Sequence, residues 1–138
     1  MPRSLQDLHH LGLTVADVEV SAAWYERVLG FRRTGGWDDP AGRWRKAFLV
    51  HDGLRTRLGL AQHAGSAGGP FDETRTGLDH LAFGVADRAE LDEWSEHLSA
   101  AGVAVSPVAA SNSIEGAYVL VFRDPDNIEL ELFADPSH

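Results

Sequence analysis

The sequence has 138 residues, which is enough chain for one domain or for two small modules that share a core. Its 21 Asp and Glu residues outnumber its 12 Lys and Arg residues and give a formal net charge of -9, which argues against nucleic-acid binding. The sequence contains no cysteine. It has no apolar run as long as the about 20 residues needed to cross a bilayer, and no apolar stretch like that of a signal peptide. We therefore expect a cytoplasmic protein without a membrane or nucleic-acid partner, in which any metal is bound by His and carboxylate ligands.

The first half of the chain is predicted to form a strand, a helix and three further strands. Residues 7–15 alternate between apolar and small or polar side chains, as a half-buried strand does. Asp17 is a candidate N-cap for a helix that continues to about Leu29, and Gly30 is its stop signal. The three strands that follow are predicted at residues 31–37, 43–51 and 54–62.

The second half of the chain has the same order of elements. A strand is predicted at 78–85, and Asp87 with Glu90 resembles a capping box for a helix over 88–101. The three strands that follow are predicted at residues 102–108, 116–123 and 128–134.

An internal repeat relates the two halves. A shift of 70 residues places LHHLGLTVAD (8–17) on LDHLAFGVAD (78–87), so that His10 falls on His80. The segment between the copies, HAGSAGGPFDETRT, is rich in the Gly, Pro and Ser that are typical of a linker. We therefore expect a single domain over 1–138 that has module one at about 7–62, a linker at 63–76 and module two at about 77–135.

One face of the predicted strands has the residues of a metal site. Successive strand residues point to opposite faces, and on the face away from the bulky apolar residues each first strand has a His followed by two small residues. The last strand has two Glu on the corresponding face. These residues are His10, Gly12, Thr14, His80, Ala82, Gly84, Glu129 and Glu131. If the modules curl into a shared sheet, the faces form a concave wall that favours a divalent metal and a substrate pocket.

The chemistry of this ligand set supports that interpretation, although a lone His on a strand is more often structural. Two imidazoles and one carboxylate leave up to about three coordination positions for water and for a substrate with two adjacent oxygens. The metal can then act as a Lewis acid, lower the pKa of bound water or, if it is iron, activate dioxygen. The ligands accept Fe, Mn, Ni, Co or Zn. Arg57 could pair with an anionic substrate group, and Tyr118 could serve as a proton donor.

Three segments carry a resemblance to a known family: HLGLTVAD with the following WYERVLGF, then GLDHLAFGVAD, and FRDPDNIELELF. With them the sequence resembles the vicinal oxygen chelate superfamily of glyoxalases, bleomycin-resistance proteins and extradiol dioxygenases. The resemblance implies an α+β fold of two tandem βαβββ modules, in which a U-shaped mixed sheet surrounds a cavity and the helices lie on the outer face. It also implies that His10, His80 and Glu131, rather than Glu129, bind a divalent metal. A homodimer is implied as well, and in several members the site is shared between chains.

One departure from the superfamily's ligand pattern narrows the range of activities that we expect. Sequences that resemble glyoxalase I have a further Glu ligand at the position of Gly59, so glyoxalase I activity itself is doubtful here. The remaining ligands are similar to those of extradiol dioxygenases and of fosfomycin-resistance transferases, and the resemblance does not choose between them. We expect a metalloenzyme of the lyase, isomerase or dioxygenase type. The alternative is a non-catalytic drug-binding protein like the bleomycin-resistance proteins, and the net charge of -9 would suit a cationic ligand.

Overall fold

The computed structural model describes residues 4–138 and confirms the α+β fold with two tandem modules. The chain divides into two compact units, Met1–Gly68 and Gly69–His138, and the boundary falls inside the predicted linker. Neither helix is long and apolar enough to cross a membrane in the part of the chain that the structure describes. The elements are β1 (His10–Thr14), α1 (Val18–Leu29), β2 (Arg32–Asp38), β3 (Trp44–Val50), β4 (Arg57–His63), β5 (Leu81–Val85), α2 (Arg88–Ala100), β6 (Ala109–Ala110), β7 (Tyr118–Arg123) and β8 (Glu129–Ala134).

Each unit contains one four-stranded mixed sheet and one helix. The strand order is β1-β4-β3-β2 in the first unit and β5-β8-β7-β6 in the second, and in each unit the first strand is parallel to the last. Helix α1 packs on β3 and β4, and α2 packs on β7 and β8, so that one face of each sheet is covered. The core side chains come from both the helices and the covered sheet faces, and those that are fully buried include Tyr25, Leu49, Leu60, Leu91, Leu98, Leu120 and Leu130.

The helix ends form as the sequence predicts. The Asp17 side chain accepts hydrogen bonds from the backbone N–H groups of Glu19 and Val20, and Gly30 ends α1 with a φ of 77°. In the second unit Asp87 accepts from the backbone N–H of Glu90 at 3.0 Å. The local sequence therefore determines where both helices begin and where the first one ends.

The predicted strand over 102–108 is wrong. The structure has a loop there with one isolated bridge, between Val105 and Phe122, and only the two-residue strand β6 follows. Pro107 has no N–H group for a strand ladder, and the Ser106 hydroxyl accepts from the backbone N–H of Val121 at 2.9 Å. This side-chain contact replaces part of the backbone pairing that a full strand would make.

The first strand of each module is also shorter than predicted. Strand β1 begins at His10 instead of residue 7, and β5 begins at Leu81 instead of residue 78. His80 therefore lies just before its strand, where its side chain is not restricted by the alternation of the sheet.

Candidate functional site

The uncovered face of the first unit has the predicted residues side by side. Leu13 is buried, and the alternation of β1 therefore places its polar and small residues on the opposite, exposed face. The parallel register with β4 sets His10 beside Arg57, Gly12 beside Gly59 and Thr14 beside Ala61. The predicted pocket residues Gly12, Thr14 and Arg57 thus share one face with the proposed ligand His10.

A second imidazole accompanies His10. The Nδ1 atoms of His9 and His10 lie 2.9 Å apart, and the two rings meet edge to face with centroids 5.2 Å apart. One of the two nitrogens must carry the hydrogen and the other must accept it. The orientation of the His10 ring is therefore coupled to its neighbour in the chain.

The second unit brings two of the three proposed ligands together. His80 Nε2 lies 3.7 Å from Glu131 Oε2. Glu131 is in the middle of β8 beside Ala82 of β5, on the face away from α2, and its side chain is only 15% exposed. The small Ala82 side chain and the lack of a side chain at Gly84 leave this face open next to the pair.

The environment of His80 favours its charged form when no metal is bound. Its Nδ1 lies 2.7 Å from Asp79 Oδ1, and this hydrogen bond raises the pKa of His80, with the negative charge of Glu131 adding to the effect against partial burial. A cation bound at His80 Nε2 would compete with the proton that the charged ring carries on that nitrogen.

The other carboxylate of β8 has a different partner. Glu129 Oε2 lies 3.1 Å from Arg123 Nη2, and the same guanidinium binds Glu73 through two contacts of 2.7 and 3.0 Å. Arg123 lowers the pKa of Glu73 to about 2, whereas burial raises the pKa of Glu129 despite its cationic neighbour. Glu129 is thus part of an ion-pair cluster, and Glu131 is the carboxylate that faces the imidazole.

A cavity of about 460 Å³ opens on the same face of the second unit. Its lining is mostly apolar and includes the predicted pocket residues Ala82 and Gly84, together with the polar Asp135 and His138. The lining residues are Ala82, Gly84, Val85, Ala86, Ile114, Phe133, Asp135 and His138.

Tyr118, the predicted proton donor, is not brought to this face. Strand register places Tyr118 with Leu120 and Phe122, whose side chains are buried beneath α2. The Arg88 guanidinium lies over its ring, 4.8 Å from the centroid. Tyr118 therefore packs on the helix side of the sheet, on the face opposite to Glu131.

Two contacts were missed by the sequence interpretation. The sequence interpretation gave no role to His9 or Asp79, yet each contacts the ring of the His that follows it. The repeat held a usable signal, because the same shift of 70 that aligns the ligands also aligns these two polar residues.

The donor atoms in the second unit fit a divalent ion. Imidazole nitrogen and carboxylate oxygen bind such ions at about 2.0–2.2 Å, so atoms 3.7 Å apart can both reach one ion. Among residues 4–138, however, no three or more His, Asp and Glu side chains are placed so that they could hold one metal ion. His80 and Glu131 are a fitting pair, and a third ligand is needed to complete the set.

Comparison with known proteins identifies the family to which this fold belongs. The profile of the Glyoxalase/Bleomycin resistance protein/Dioxygenase superfamily matches residues 7–132. The chain belongs to this superfamily. A solved glyoxylase/bleomycin resistance protein/dioxygenase domain from Frankia sp. EAN1pec superposes on this superfamily member with a TM-score of 0.84 at 35% identity, covering 96% of this chain and 99% of that one.

Two curated relatives of this superfamily member have named activities. Catechol-2,3-dioxygenase of Bacillus subtilis is 30% identical over 96% of this chain and 44% of its own length. Glutathione transferase FosA of Serratia marcescens is 30% identical over 93% of this chain and 80% of its own length. This superfamily member therefore has relatives whose named activities are two different types of reaction.

Proposed function

We propose that this superfamily member is a metal-dependent enzyme whose substrate is a small molecule that chelates a divalent ion through two oxygens. His80 and Glu131 of the second unit would bind the ion together with His10 of the first unit. The observation that carries the proposal is the 3.7 Å approach of His80 Nε2 to Glu131 Oε2 on an open sheet face. The position of His10, first in β1 and aligned with His80 by the repeat, supports its inclusion.

The surrounding residues suggest how a substrate would be held. When bound, the ion (Fe, Mn, Ni, Co or Zn) would supply a Lewis acid that polarises the chelating oxygens. Gly12 and Gly84 leave room beside the ligands, and Arg57 lies next to His10, where it could pair with an anionic substrate group. The apolar cavity beside Ala82 would accept the hydrocarbon part of the molecule.

The reaction type is proposed as lyase, isomerase or dioxygenase chemistry. Gly59 has no side chain to serve as a fourth protein ligand, which argues against glyoxalase I activity. Of the named relatives, catechol-2,3-dioxygenase supports the dioxygenase type, whereas glutathione transferase FosA represents a reaction type outside this range.

Metal content of the purified protein tests the proposal. We expect stoichiometric divalent metal in the wild type and its loss in His80→Ala, measured by inductively coupled plasma mass spectrometry after dialysis against the candidate ions. His97→Ala is the matched control, since His97 lies on α2 in the same unit and should leave metal content unchanged. A wild type that retains no metal, or a His80→Ala variant that retains all of it, would contradict the proposal.

A second candidate function is sequestration of a small molecule without catalysis. The observation that favours it is the mostly apolar cavity whose lining includes the acidic Asp135, which would suit a cationic ligand with a hydrocarbon body. This function predicts that binding of a cationic drug persists in His80→Ala and after treatment with a chelator. Isothermal titration calorimetry on both samples separates the two functions.

We also propose that the protein is a cytoplasmic homodimer. Light scattering coupled to gel filtration tests the dimer. If one site is shared between chains, mixing His10→Ala with His80→Ala restores metal binding in the heterodimer, whereas a site within one chain gives no restoration.

A further inference from the structure

Asp79 contacts the side of the His80 ring that faces away from the proposed metal. Its Oδ1 lies 2.7 Å from His80 Nδ1, while the other ring nitrogen, Nε2, lies 3.7 Å from Glu131 Oε2. The ring is therefore held between two carboxylates, one at each nitrogen.

The hydrogen bond to Asp79 determines which nitrogen of the neutral ring carries the hydrogen. An ionised carboxylate can only accept, so His80 Nδ1–H must donate to Asp79. In the neutral ring Nε2 then has no hydrogen, and its lone pair is free to bind a cation on the side of Glu131. The same contact limits rotation of the imidazole about its bond to the chain.

The first unit has a comparable contact made by a different residue. His9, which the repeat aligns with Asp79, places its Nδ1 2.9 Å from His10 Nδ1. Unlike a carboxylate, His9 can donate or accept, so this contact does not fix the tautomer of His10 by itself. A polar contact to Nδ1 of the His thus occurs in both units. Only the contact with Asp79 has a fixed hydrogen-bond direction, because an ionised carboxylate can only accept.

We propose that Asp79 is a positioning residue that holds His80 in the Nδ1–H tautomer with Nε2 free for the metal. The proposal rests on the proposed function, because the metal is the reason for a free Nε2. Carboxylate partners of this kind typically change metal affinity by about 10- to 100-fold when they are removed.

The tautomer is measured directly in the metal-free wild type. Long-range ¹H–¹⁵N spectra at a pH well above the His80 pKa should show a hydrogen on Nδ1 and none on Nε2. In Asp79→Ala the signals should shift toward a mixture of the two tautomers. A wild-type ring protonated on Nε2 would overturn the proposal, whether or not the protein binds metal.

The dissociation constant of the metal provides the second readout. We expect Asp79→Ala to weaken Mn(II) binding by about 10- to 100-fold and Asp79→Asn by less, because the amide oxygen still accepts. Asp52→Ala is the control, because it is the same substitution as Asp79→Ala, made at a carboxylate that is 96% exposed. The Asp79 side chain is itself 69% exposed, so its removal should leave the core packing intact.

The two measurements separate this inference from the proposed function. A wild type that binds no metal defeats the proposed function, and the tautomer spectrum then decides the role of Asp79 alone. A wild type that binds metal, with Asp79→Ala unchanged in affinity, overturns the inference and leaves the proposed function in place.

Discussion

Two glutamates of β8 share one face of the sheet and differ in their neighbours. Glu131 faces His80 Nε2 at 3.7 Å, and Glu129 is 3.1 Å from the Arg123 guanidinium. Their side chains are similarly buried, at 15% and 18% exposed. The partner of each carboxylate, rather than its burial, therefore distinguishes the two glutamates.

This difference predicts unequal effects of the same substitution. Glu131→Gln should weaken metal binding by more than about tenfold, since a ligand should matter at least as much as the residues that support it. Glu129→Gln should change the dissociation constant little, because its partner is Arg123. Chelator-competition titrations of both variants test this, and an equal loss in the two would contradict the assignment of Glu131.

The pair of Glu73 and Arg123 predicts a pH dependence of stability. The pKa of Glu73 is lowered to about 2 from 4.5, so the stabilisation is fully present above pH 4.5 and is lost as pH falls toward 2. The free energy of unfolding should thus fall more steeply over this interval in the wild type than in Glu73→Gln. Urea unfolding at several acidic pH values checks this, and parallel curves for the two proteins would refute it.

Such residue-scale contacts could not be predicted from the sequence. Glu73 and Arg123 are 50 positions apart, and their contact depends on how the linker segment lies against the β7–β8 hairpin. Nothing in the local pattern around Glu73 indicates that partner. Asp79 was missed for a different reason, because the strand begins two residues later and the alternation does not apply to it.

At the scale of elements, strand periodicity was the reliable signal. It predicted that His10, Gly12 and Thr14 share a face, and the burial pattern of β1, in which these three residues are exposed and Leu13 is buried, agrees with this. The caps at Asp17 and Asp87 were equally informative, because each satisfies free backbone N–H groups within its own turn. The segment 102–108 misled because its apolar residues suit a strand, whereas Pro107 and the Ser106 hydroxyl interrupt the ladder.

The equivalence of β4 and β8 gives an element-scale prediction. Gly59 of β4 corresponds to Glu131 of β8, and a Cβ atom added at Gly59 would meet only the Leu11 carbonyl oxygen at 3.8 Å. Gly59→Glu should therefore fold with a melting temperature close to that of the wild type. It should also bind divalent metal more tightly, because it adds a carboxylate beside Gly12 on the face of His10.

Gly59→Gln is the matched control, with the same size and no charge. Thermal unfolding and metal titration of the three proteins test the prediction. Equal affinities in Gly59→Glu and Gly59→Gln would show that this strand position does not face the metal.

At the scale of the whole molecule, the repeat explains why one short chain has two equivalent open faces. Each unit buries one face of its sheet under a helix and leaves small residues on the other face, with a His at the start of its first strand or just before it. The repeat could be read from the sequence because it preserves both the apolar spacing and the polar positions. The substrate could not be read from the sequence, because small and apolar residues determine how much space a pocket has and say little about the molecule that fills it.

A crystal structure of the metal-loaded protein, with anomalous data collected at the absorption edge of the ion, tests the central claim most directly. We predict one strong peak about 2.0–2.2 Å from an imidazole nitrogen of His10, Nε2 of His80 and a carboxylate oxygen of Glu131. A peak bound by other residues, or these three side chains with no peak between them at saturating metal, would contradict the account.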